Sequence, residues 1–234
     1  DIERNRHLVD LFLAVSYSTA EDIIHYLGYE KEKIEVLPIG AEIPKEYKIP
    51  KSLKVNEKPF ALVLGTLEPR KNISVILEMI SKNKDLLDKI DFYFCGKVGW
   101  MEDYNKLLQR YDLVSDAEAG FLKRLDYISE EKKWILLQRC KLLIFSSFYE
   151  GFGMPIAEAI QAKTNIISSN TSSLKEASNG YEFCTHFDPF DCNQLAKDIK
   201  NLLNNDREIE HDFEKVFSWE NYTNDLCKII LEKI

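Results

Sequence analysis

Short apolar runs of strand length alternate with amphipathic stretches of helix length along nearly the whole chain of 234 residues. This alternation is typical of β-α-β units, because two parallel strands need a crossover connection that is usually a helix. After Pro189 the pattern is helical to the end of the chain. The sequence therefore predicts an α/β fold with a Rossmann-like parallel sheet and helices on both faces. The expected strands cover residues 11–15, 34–37, 60–64, 91–95, 142–145, 165–168 and 182–184.

Several polar side chains stand where helices are expected to begin. Ser18 or Thr19 can cap the first helix, Asn72 can cap a helix from residue 73 to about residue 82, and Ser129 can open another. These residue types are preferred caps because their side-chain oxygens accept hydrogen bonds from the first backbone N–H groups of a helix.

Ser173 and Glu176 have the spacing of a capping box. The alternative is that Ser172, Ser173 and Glu176 face the ligand crevice, since the loop after residue 168 lies at the carboxyl edge of the sheet. Capping is the favoured interpretation.

The segment 38–59 has no sustained periodicity and contains several prolines, so it is interpreted as a connector. It separates a short β-α-β piece from a larger α/β domain. The chain opens with Asp1 rather than Met, and we expect it to be part of a longer polypeptide.

Composition excludes several classes of function. The formal net charge of −8 argues against a nucleic-acid-binding protein, which needs a dominant basic face. Lys132 and Lys133 form a short basic pair that is too weak to indicate membrane binding. The five cysteines include no Cys-x-x-Cys pair, so neither a disulfide framework nor a zinc site is indicated, and a reducing, cytoplasmic setting fits best. No apolar run reaches the roughly 20 residues of a membrane-spanning helix.

Residues 145–162, which read FSSFYEGFGMPIAEAIQA, form the most informative stretch. A strand ends at residue 145, a glycine-containing loop follows, and a helix is expected to start near Pro155, whose fixed φ suits a first helical position. Gly151 and Gly153 flank Phe152 and allow a ligand to approach the backbone. Free N–H groups at residues 154–157 and the positive end of the helix dipole favour a phosphate.

Two glutamates in this stretch are expected to have different roles. Glu150 lies in the loop, where a carboxylate can accept hydrogen bonds from sugar hydroxyls, and Glu158 lies about one turn into the helix, where it can reach two vicinal hydroxyls such as those of a ribose. The plainer interpretation is a turn in which Glu150 only complements the helix dipole.

Residues 60–72, which read FALVLGTLEPRKN, predict a second part of the same site. Gly65 ends a strand, and Arg70 and Lys71 arrive just before the next helix. Cations at this edge can stabilise the negative charge that grows on a diphosphate leaving group. Alone, an Arg-Lys pair on a loop is as often simply solvated.

These two stretches resemble the donor-binding motifs of glycosyltransferase family 4, whose members are retaining enzymes with the GT-B fold. The resemblance continues in order along nearly the whole chain. It includes residues 10–27, 34–40, 142–147, 165–177, 187–203 and 217–226.

The resemblance implies a domain organisation. Residues 1–40 would be the end of an N-terminal domain and the crossing segment, and 41–58 a linker. Residues 59–217 would be the nucleotide-sugar-binding domain, and 218–234 a C-terminal helix that packs back toward the N-terminal domain. The Gly-rich loop and acceptor-binding groove of that first domain would precede Asp1.

The same resemblance implies roles for individual residues. Glu150 would bind hydroxyls of the donor sugar, Glu158 the nucleotide ribose and Lys71 the diphosphate with Arg70 in support, so Glu150 and Lys71 are the expected catalytic residues. The remaining donor-binding positions would be Gly65, Thr66, Gly151, Phe152, Gly153, Met154 and Pro155.

The chain departs from the family pattern at three places. Thr66 stands where many members have an arginine, so diphosphate binding would depend more on Arg70 and Lys71, and Lys163 stands where a glycine is common. Residues 121–127 would hold the nucleotide base, but they match the family pattern poorly, so the sequence does not identify the base.

The implied activity is hexosyl transfer from a nucleotide diphosphate sugar to a glycan or lipid-linked acceptor, without metal or other cofactor. A mannosyltransferase using GDP-mannose is favoured and a UDP-sugar is the alternative donor. The setting would be cytoplasmic, at the inner face of the membrane through peripheral association. The alternatives are a GT-B-fold epimerase or phosphorylase and a non-catalytic nucleotide-sugar-binding subunit. Without the N-terminal domain the chain is expected to be inactive.

Overall fold

A six-stranded, fully parallel sheet forms the centre of the protein in the computed structural model, which describes residues 8–44, 58–100, 103–205, 209 and 217–233. The strand order is β5-β4-β3-β6-β7-β8, which is the Rossmann order 3-2-1-4-5-6 when strands are counted from β3. The chain direction along the sheet reverses between β3 and β6. Ligands of open α/β sheets bind at such a switch point, beyond the carboxyl ends of the strands. The six strands are β3 (Phe60–Leu64), β4 (Asp91–Cys95), β5 (Leu122–Leu125), β6 (Leu142–Phe145), β7 (Asn165–Ser169) and β8 (Cys184–Phe187).

Helices cover both faces of the sheet, as predicted. Alternate residues of the central strands point to opposite faces, so that Ala61 and Val63 belong to one apolar core while Phe60, Leu62 and Leu64 belong to the other. The first core includes α2 (Ile73–Lys82), α3 (Tyr104–Arg110) and α8 (Cys192–Asn204), and the second includes α5 (Glu130–Arg139), α6 (Met154–Gln161) and α7 (Leu174–Ala177). A short helix α4 (Val114–Glu118) precedes β5.

A smaller β-α-β unit precedes the six-stranded sheet. Strands β1 (Phe12–Ala14) and β2 (Ile34–Val36) pair in parallel, and helix α1 (Tyr17–Leu27) connects them. We call this the N-terminal unit. Its own apolar cluster contains Ala14 and Ala20. Residues 45–57, within the expected linker, lie outside the described residues.

The last helix, α9 (Trp219–Lys233), contacts the segment that follows the N-terminal unit. The Trp219 backbone N–H donates to the Glu42 carboxylate over 2.9 Å, and the Ala41 N–H donates to the Phe217 carbonyl over 2.6 Å. A Cβ atom added to Gly40 would lie 2.7 Å from the Trp219 ring. The helix is therefore attached at its amino end to the stretch that leads out of β2.

Two strand predictions were incomplete. Strand β5 was not predicted as a strand, because Lys123 and Arg124 interrupt its apolar pattern at the edge of the sheet. Strand β8 begins at Cys184, where the predicted strand ended, and it also lies at an edge. The predictions for β3, β4 and β6 match the observed bounds because these strands are largely buried on both faces.

Two of the predicted caps were wrong in their residue or their bonding. Ser16, rather than Ser18 or Thr19, caps α1 by accepting a hydrogen bond from the Thr19 N–H. Asn72 occupies the N-cap position of α2, as predicted, but its side chain makes no capping hydrogen bond and its φ is 50°. Ser129 caps α5 as expected.

Within the described residues, no helix has both the length and the apolar character needed to cross a lipid bilayer.

Candidate functional site

The switch point brings together the two loops that the sequence singled out. The loop after β3 contains a 3-10 turn, Pro69–Lys71, and the loop after β6 contains Glu150. The Lys71 Nζ lies 2.6 Å from Glu150 Oε1, and Arg70 Nη1 lies 2.8 Å from Glu150 Oε2. Both oxygens of one carboxylate therefore face cations from the other loop.

The two cations at Glu150 differ in their surroundings. The Lys71 and Glu150 side chains are only 14% and 12% exposed, whereas Arg70 is 42% exposed and also binds Glu68 over 2.7 Å. Burial raises the pKa of the Glu150 carboxyl, but the hydrogen bond and charge of Lys71, with a hydrogen bond from Arg70, outweigh it and hold the pKa below its ordinary value. Glu150 is therefore ionised at neutral pH.

A glycine gives Lys71 its position. Gly65, at the end of β3, has φ of 144°, and a Cβ added there would lie 3.1 Å from Lys71 Cε and 3.5 Å from Lys71 Nζ. The ammonium also lies 5.0 Å from the centre of the Phe145 ring, within the range of a cation–π contact. The lysine thus lies along the end of the sheet and directs its charge across the switch point.

Hydrogen bonds join the two loops. The Ser146 hydroxyl donates to the Lys71 carbonyl over 2.8 Å, and the Phe148 N–H donates to the Arg70 carbonyl over 2.8 Å. The Asn72 side chain, predicted to cap α2, instead donates to the Pro189 carbonyl over 2.8 Å. The positions of the two cations are consequently fixed by the backbone of neighbouring loops.

The glycine loop before α6 is closely packed. Gly153 has φ of 97°, and a Cβ added there would lie 2.8 Å from Leu174 Cδ2. The Gly151 carbonyl accepts hydrogen bonds from Ser16 over 2.6 Å and Thr19 over 2.9 Å. Phe152 is buried, with its ring in edge contact with another aromatic ring, so its side chain is part of the core.

The helix start differs in detail from the prediction. Helix α6 begins at Met154, so Pro155 is at the second position rather than the first. The N–H groups of Ile156 and Ala157 were expected to be free, but both bond to the Gly153 carbonyl, over 2.8 and 3.4 Å. Pro155 has no N–H to offer. Of the expected phosphate donors at residues 154–157, this leaves the Met154 N–H without a backbone partner in the described part of the chain.

Glu158 lies in the second turn of α6 and is 8% exposed. Its Oε1 accepts a hydrogen bond from Lys133 Nζ over 2.6 Å. Burial raises the pKa of the Glu158 carboxyl, and Lys133 opposes that rise. Thr66 is half-buried beside Gly65 and packs toward a neighbouring loop: a Cβ added to Gly99 would lie 2.8 Å from Thr66 Cγ2.

The predicted capping box at Ser173 and Glu176 was wrong. The Ser173 hydroxyl donates to the Glu150 carbonyl over 2.9 Å, and the Glu150 N–H donates to the Ser172 hydroxyl over 3.1 Å. Glu176 accepts hydrogen bonds from the N–H groups of Tyr17 and residue 18, over 2.7 and 2.8 Å. Ser172 and Ser173 therefore hold the loop that carries Glu150, whereas Glu176 binds the first turn of α1.

Sequence reasoning missed two further residues of this region. Gly96, at the end of β4, has φ of 154°, and a Cβ there would lie 2.0 Å from the Gly65 carbonyl oxygen, so the two strand ends can meet only without a side chain. The glycine immediately after a predicted strand was the available signal. Lys133 gave no separate signal within its basic pair. No group of three metal-binding side chains occurs in the described parts of the chain.

Several of the curated relatives are mannosyltransferases. The chain is 30% identical over 231 residues to the O-antigen chain mannosyltransferase B of Escherichia coli, covering 91% of this chain and 58% of that protein. It is 29% identical to the O-antigen chain mannosyltransferase RfbU of Salmonella typhimurium, covering 86% and 52%. It is 24% identical to an MMP alpha-(1->4)-mannosyltransferase of Mycolicibacterium hassiacum, covering 89% and 50%. The chain spans about half to three fifths of the length of these relatives.

Solved structures share the fold at low identity. The sucrose-phosphate synthase of Thermosynechococcus elongatus superposes with a TM-score of 0.77 at 17% identity, covering 94% of this chain and 57% of that one. Anabaena Alr3699/HepE in complex with UDP-glucose superposes with a TM-score of 0.75 at 16% identity, covering 98% and 68%. The predicted α/β fold is confirmed and corresponds to the C-terminal half of GT-B structures.

A sequence profile described as "Glycosyl transferases group 1" matches residues 44–216, which is more than half of the chain. The chain belongs to this glycosyltransferase family, and the predicted resemblance to glycosyltransferase family 4 is confirmed.

Proposed function

We propose that this chain binds a nucleotide diphosphate sugar at the switch point and presents it for transfer of the sugar to an acceptor. The observation that carries the proposal is the cluster of Lys71, Arg70 and Glu150, in which two cations from one loop converge on one carboxylate from the other. The cluster lies where open α/β sheets bind ligands, and it combines cations for a diphosphate with an acceptor for sugar hydroxyls.

The diphosphate is assigned to the Lys71 side of the cluster. An ammonium ion that is mostly withdrawn from water stabilises developing negative charge more strongly than an exposed one. Arg70 reaches the same place from a more exposed position and supports it. Met154 N–H and the positive end of α6 complete this environment.

The sugar and the ribose are assigned to the two glutamates. Glu150 is ionised and can accept hydrogen bonds from hydroxyls of the sugar once the diphosphate competes for its cations. Glu158, one turn into the helix, is assigned to the vicinal hydroxyls of the ribose. Charge separation at the anomeric bond would then be favoured by cations on the leaving group, with transfer to an acceptor held by a preceding domain.

A mannosyl group is the favoured sugar, with GDP-mannose as donor. The support is that three relatives matched over most of this chain are named mannosyltransferases. The UDP-bound Anabaena structures support a UDP-sugar as the alternative. On the same basis we place the acceptor among glycans or lipid-linked glycans at the cytoplasmic face of a membrane, and we expect the chain to transfer no sugar without an acceptor-binding domain.

Calorimetric titration of the chain with UDP, GDP, UDP-glucose and GDP-mannose tests this proposal. We expect saturable binding of one nucleotide and its sugar conjugate, and at least roughly tenfold weaker binding by Lys71→Met, because a hydrogen bond between charged groups contributes about 1.5–3 kcal/mol. Lys89→Met is the matched control, since Lys89 is exposed and precedes β4 at the opposite edge of the sheet. A folded chain that binds none of the four compounds would overturn the proposal.

A further inference from the structure

A second ion pair lies between helices α5 and α6. Lys133 Nζ lies 2.6 Å from Glu158 Oε1 and 2.6 Å from Glu130 Oε2. The Lys133 and Glu158 side chains are 18% and 11% exposed, whereas Glu130 is 59% exposed. The contact of Lys133 with Glu158 is therefore shielded from water, whereas its contact with Glu130 is open to solvent.

Lys133 stands at an unusual place for a charged residue. The four residues that follow it on α5, from Trp134 to Leu137, are all buried, and the ammonium lies 5.6 Å from the centre of the Trp134 ring. A cation in such a place is costly unless it is paired and hydrogen-bonded. Its neighbour Lys132 is exposed and has its side chain in water. Of the two lysines, one is directed at Glu158 and the other is not.

We propose that Lys133 is a positioning residue for the nucleotide ribose: it holds Oε1 of Glu158 and leaves Oε2 to accept a hydrogen bond from a ribose hydroxyl. This inference rests on the proposed function, in which Glu158 binds the ribose. Within the described part of the chain, the Glu158 carboxylate accepts its hydrogen bond from Lys133 through Oε1. A carboxylate fixed at one oxygen presents the other in a defined direction.

Lys133 also favours the ionised form of Glu158 against the effect of burial. Burial raises the pKa of the Glu158 carboxyl, Lys133 lowers it, and the charge of Glu130 raises it slightly. Strands β6 and β7, which pack against α6, contain no titratable residue. On α7, Lys175 is exposed and Glu176 is bonded to α1. Without Lys133 the carboxyl would take up a proton at higher pH and lose acceptor strength toward the ribose.

Loss of Lys133 should therefore reduce the preference of the site for a ribonucleotide over the corresponding 2′-deoxynucleotide. A site that hydrogen-bonds a hydroxyl rejects an analogue that lacks it, because the polar group of the site is then left unpaired. A protonated Glu158 binds the 2′-hydroxyl less strongly, so removal of that hydroxyl lowers the affinity by a smaller factor. The ratio of affinities for a nucleotide and its 2′-deoxy form is thus a readout that a general loss of stability would not change in this way.

The test compares Lys133→Met, Lys133→Arg and Lys132→Met by calorimetric titration with GDP, UDP and their 2′-deoxy forms from pH 6 to pH 8.5. For the nucleotide that the unmodified chain binds, we expect Lys133→Met to weaken binding about tenfold at pH 6. The loss should become smaller as the pH rises, and the preference for the ribonucleotide should fall by a similar factor. Lys133→Arg should restore most of both, and Lys132→Met should behave like the unmodified chain.

The outcomes separate this inference from the proposed function. If the unmodified chain binds no nucleotide, the proposed function fails and this inference fails with it. If the unmodified chain binds but Lys133→Met matches Lys132→Met at every pH, only the role of Lys133 is refuted. Tighter binding by Lys133→Met would also refute it, because the lysine would then compete with the ribose. Thermal unfolding of each variant before titration confirms that folded proteins are compared.

Discussion

The coupling between Lys71 and Glu150 should be much stronger than the coupling between Arg70 and the same carboxylate. The two N–O distances are similar, at 2.6 and 2.8 Å, but Lys71 is 14% exposed and Arg70 is 42% exposed. A hydrogen bond between charged groups that are largely withdrawn from water contributes about 2 kcal/mol, whereas a pair with one exposed partner contributes less than about 1 kcal/mol. The difference arises from solvent screening rather than from geometry.

Double-mutant cycles measured by urea unfolding test this difference. One cycle combines Lys71→Met with Glu150→Gln, and the other combines Arg70→Met with Glu150→Gln. We expect a coupling free energy near 2 kcal/mol in the first cycle and below about 1 kcal/mol in the second. Equal couplings, or a larger one for Arg70, would refute the argument that burial makes Lys71 the principal cation of the site.

Three further predictions concern stability. Gly153→Ala should lower the free energy of unfolding by about 2 kcal/mol, because the residue has φ of 97° and its Cβ would press on Leu174; Gly180→Ala, with φ of 80° but open space, should cost less in the same urea titration. The pKa of Glu150 is lowered on folding, so its contribution to stability is full above the ordinary carboxyl pKa and is lost as pH falls through the lower folded pKa; unfolding measured from pH 7 to pH 3 should show this loss, and Glu150→Gln should flatten it. Glu176→Gln should cost about 1 kcal/mol and speed amide hydrogen exchange in the first turn of α1, which this carboxylate caps; unchanged exchange there would contradict the assignment.

The fold was predictable where burial is two-sided. Strands β3, β4 and β6 are continuous apolar runs, and their bounds follow from the sequence alone. The edge strand β5 was not predictable in this way, because one side of an edge strand faces water and tolerates Lys123 and Arg124. Helix caps were less readable, since Asn72 and Glu176 bond to parts of the chain distant in sequence.

The parts of the candidate site were predictable, but their arrangement was not. Lys71 and Glu150 were each expected to bind a donor, but their direct contact follows from the strand order, which places β3 beside β6. Between the end of β3 at residue 64 and the start of β6 at residue 142 lie 77 residues, which form two other strands with their helices and loops. The role of Lys133 could not be predicted, because its neighbour Lys132 has the same side chain and the two differ only in the direction in which they leave the helix.

The contacts of helix α1 with the Gly151 carbonyl and Glu176 have a consequence for protein engineering. In exchanges of donor specificity between related enzymes, the proline-rich connector would be the obvious place to join two parent sequences. A join there would combine α1 from one parent with the glycine loop from the other. The hydrogen bonds from the Ser16 and Thr19 hydroxyls to the Gly151 carbonyl would then have to form between segments of two different proteins. Chimeras joined ahead of β1, which keep the N-terminal unit with its own glycine loop, should retain more activity than chimeras joined at the connector.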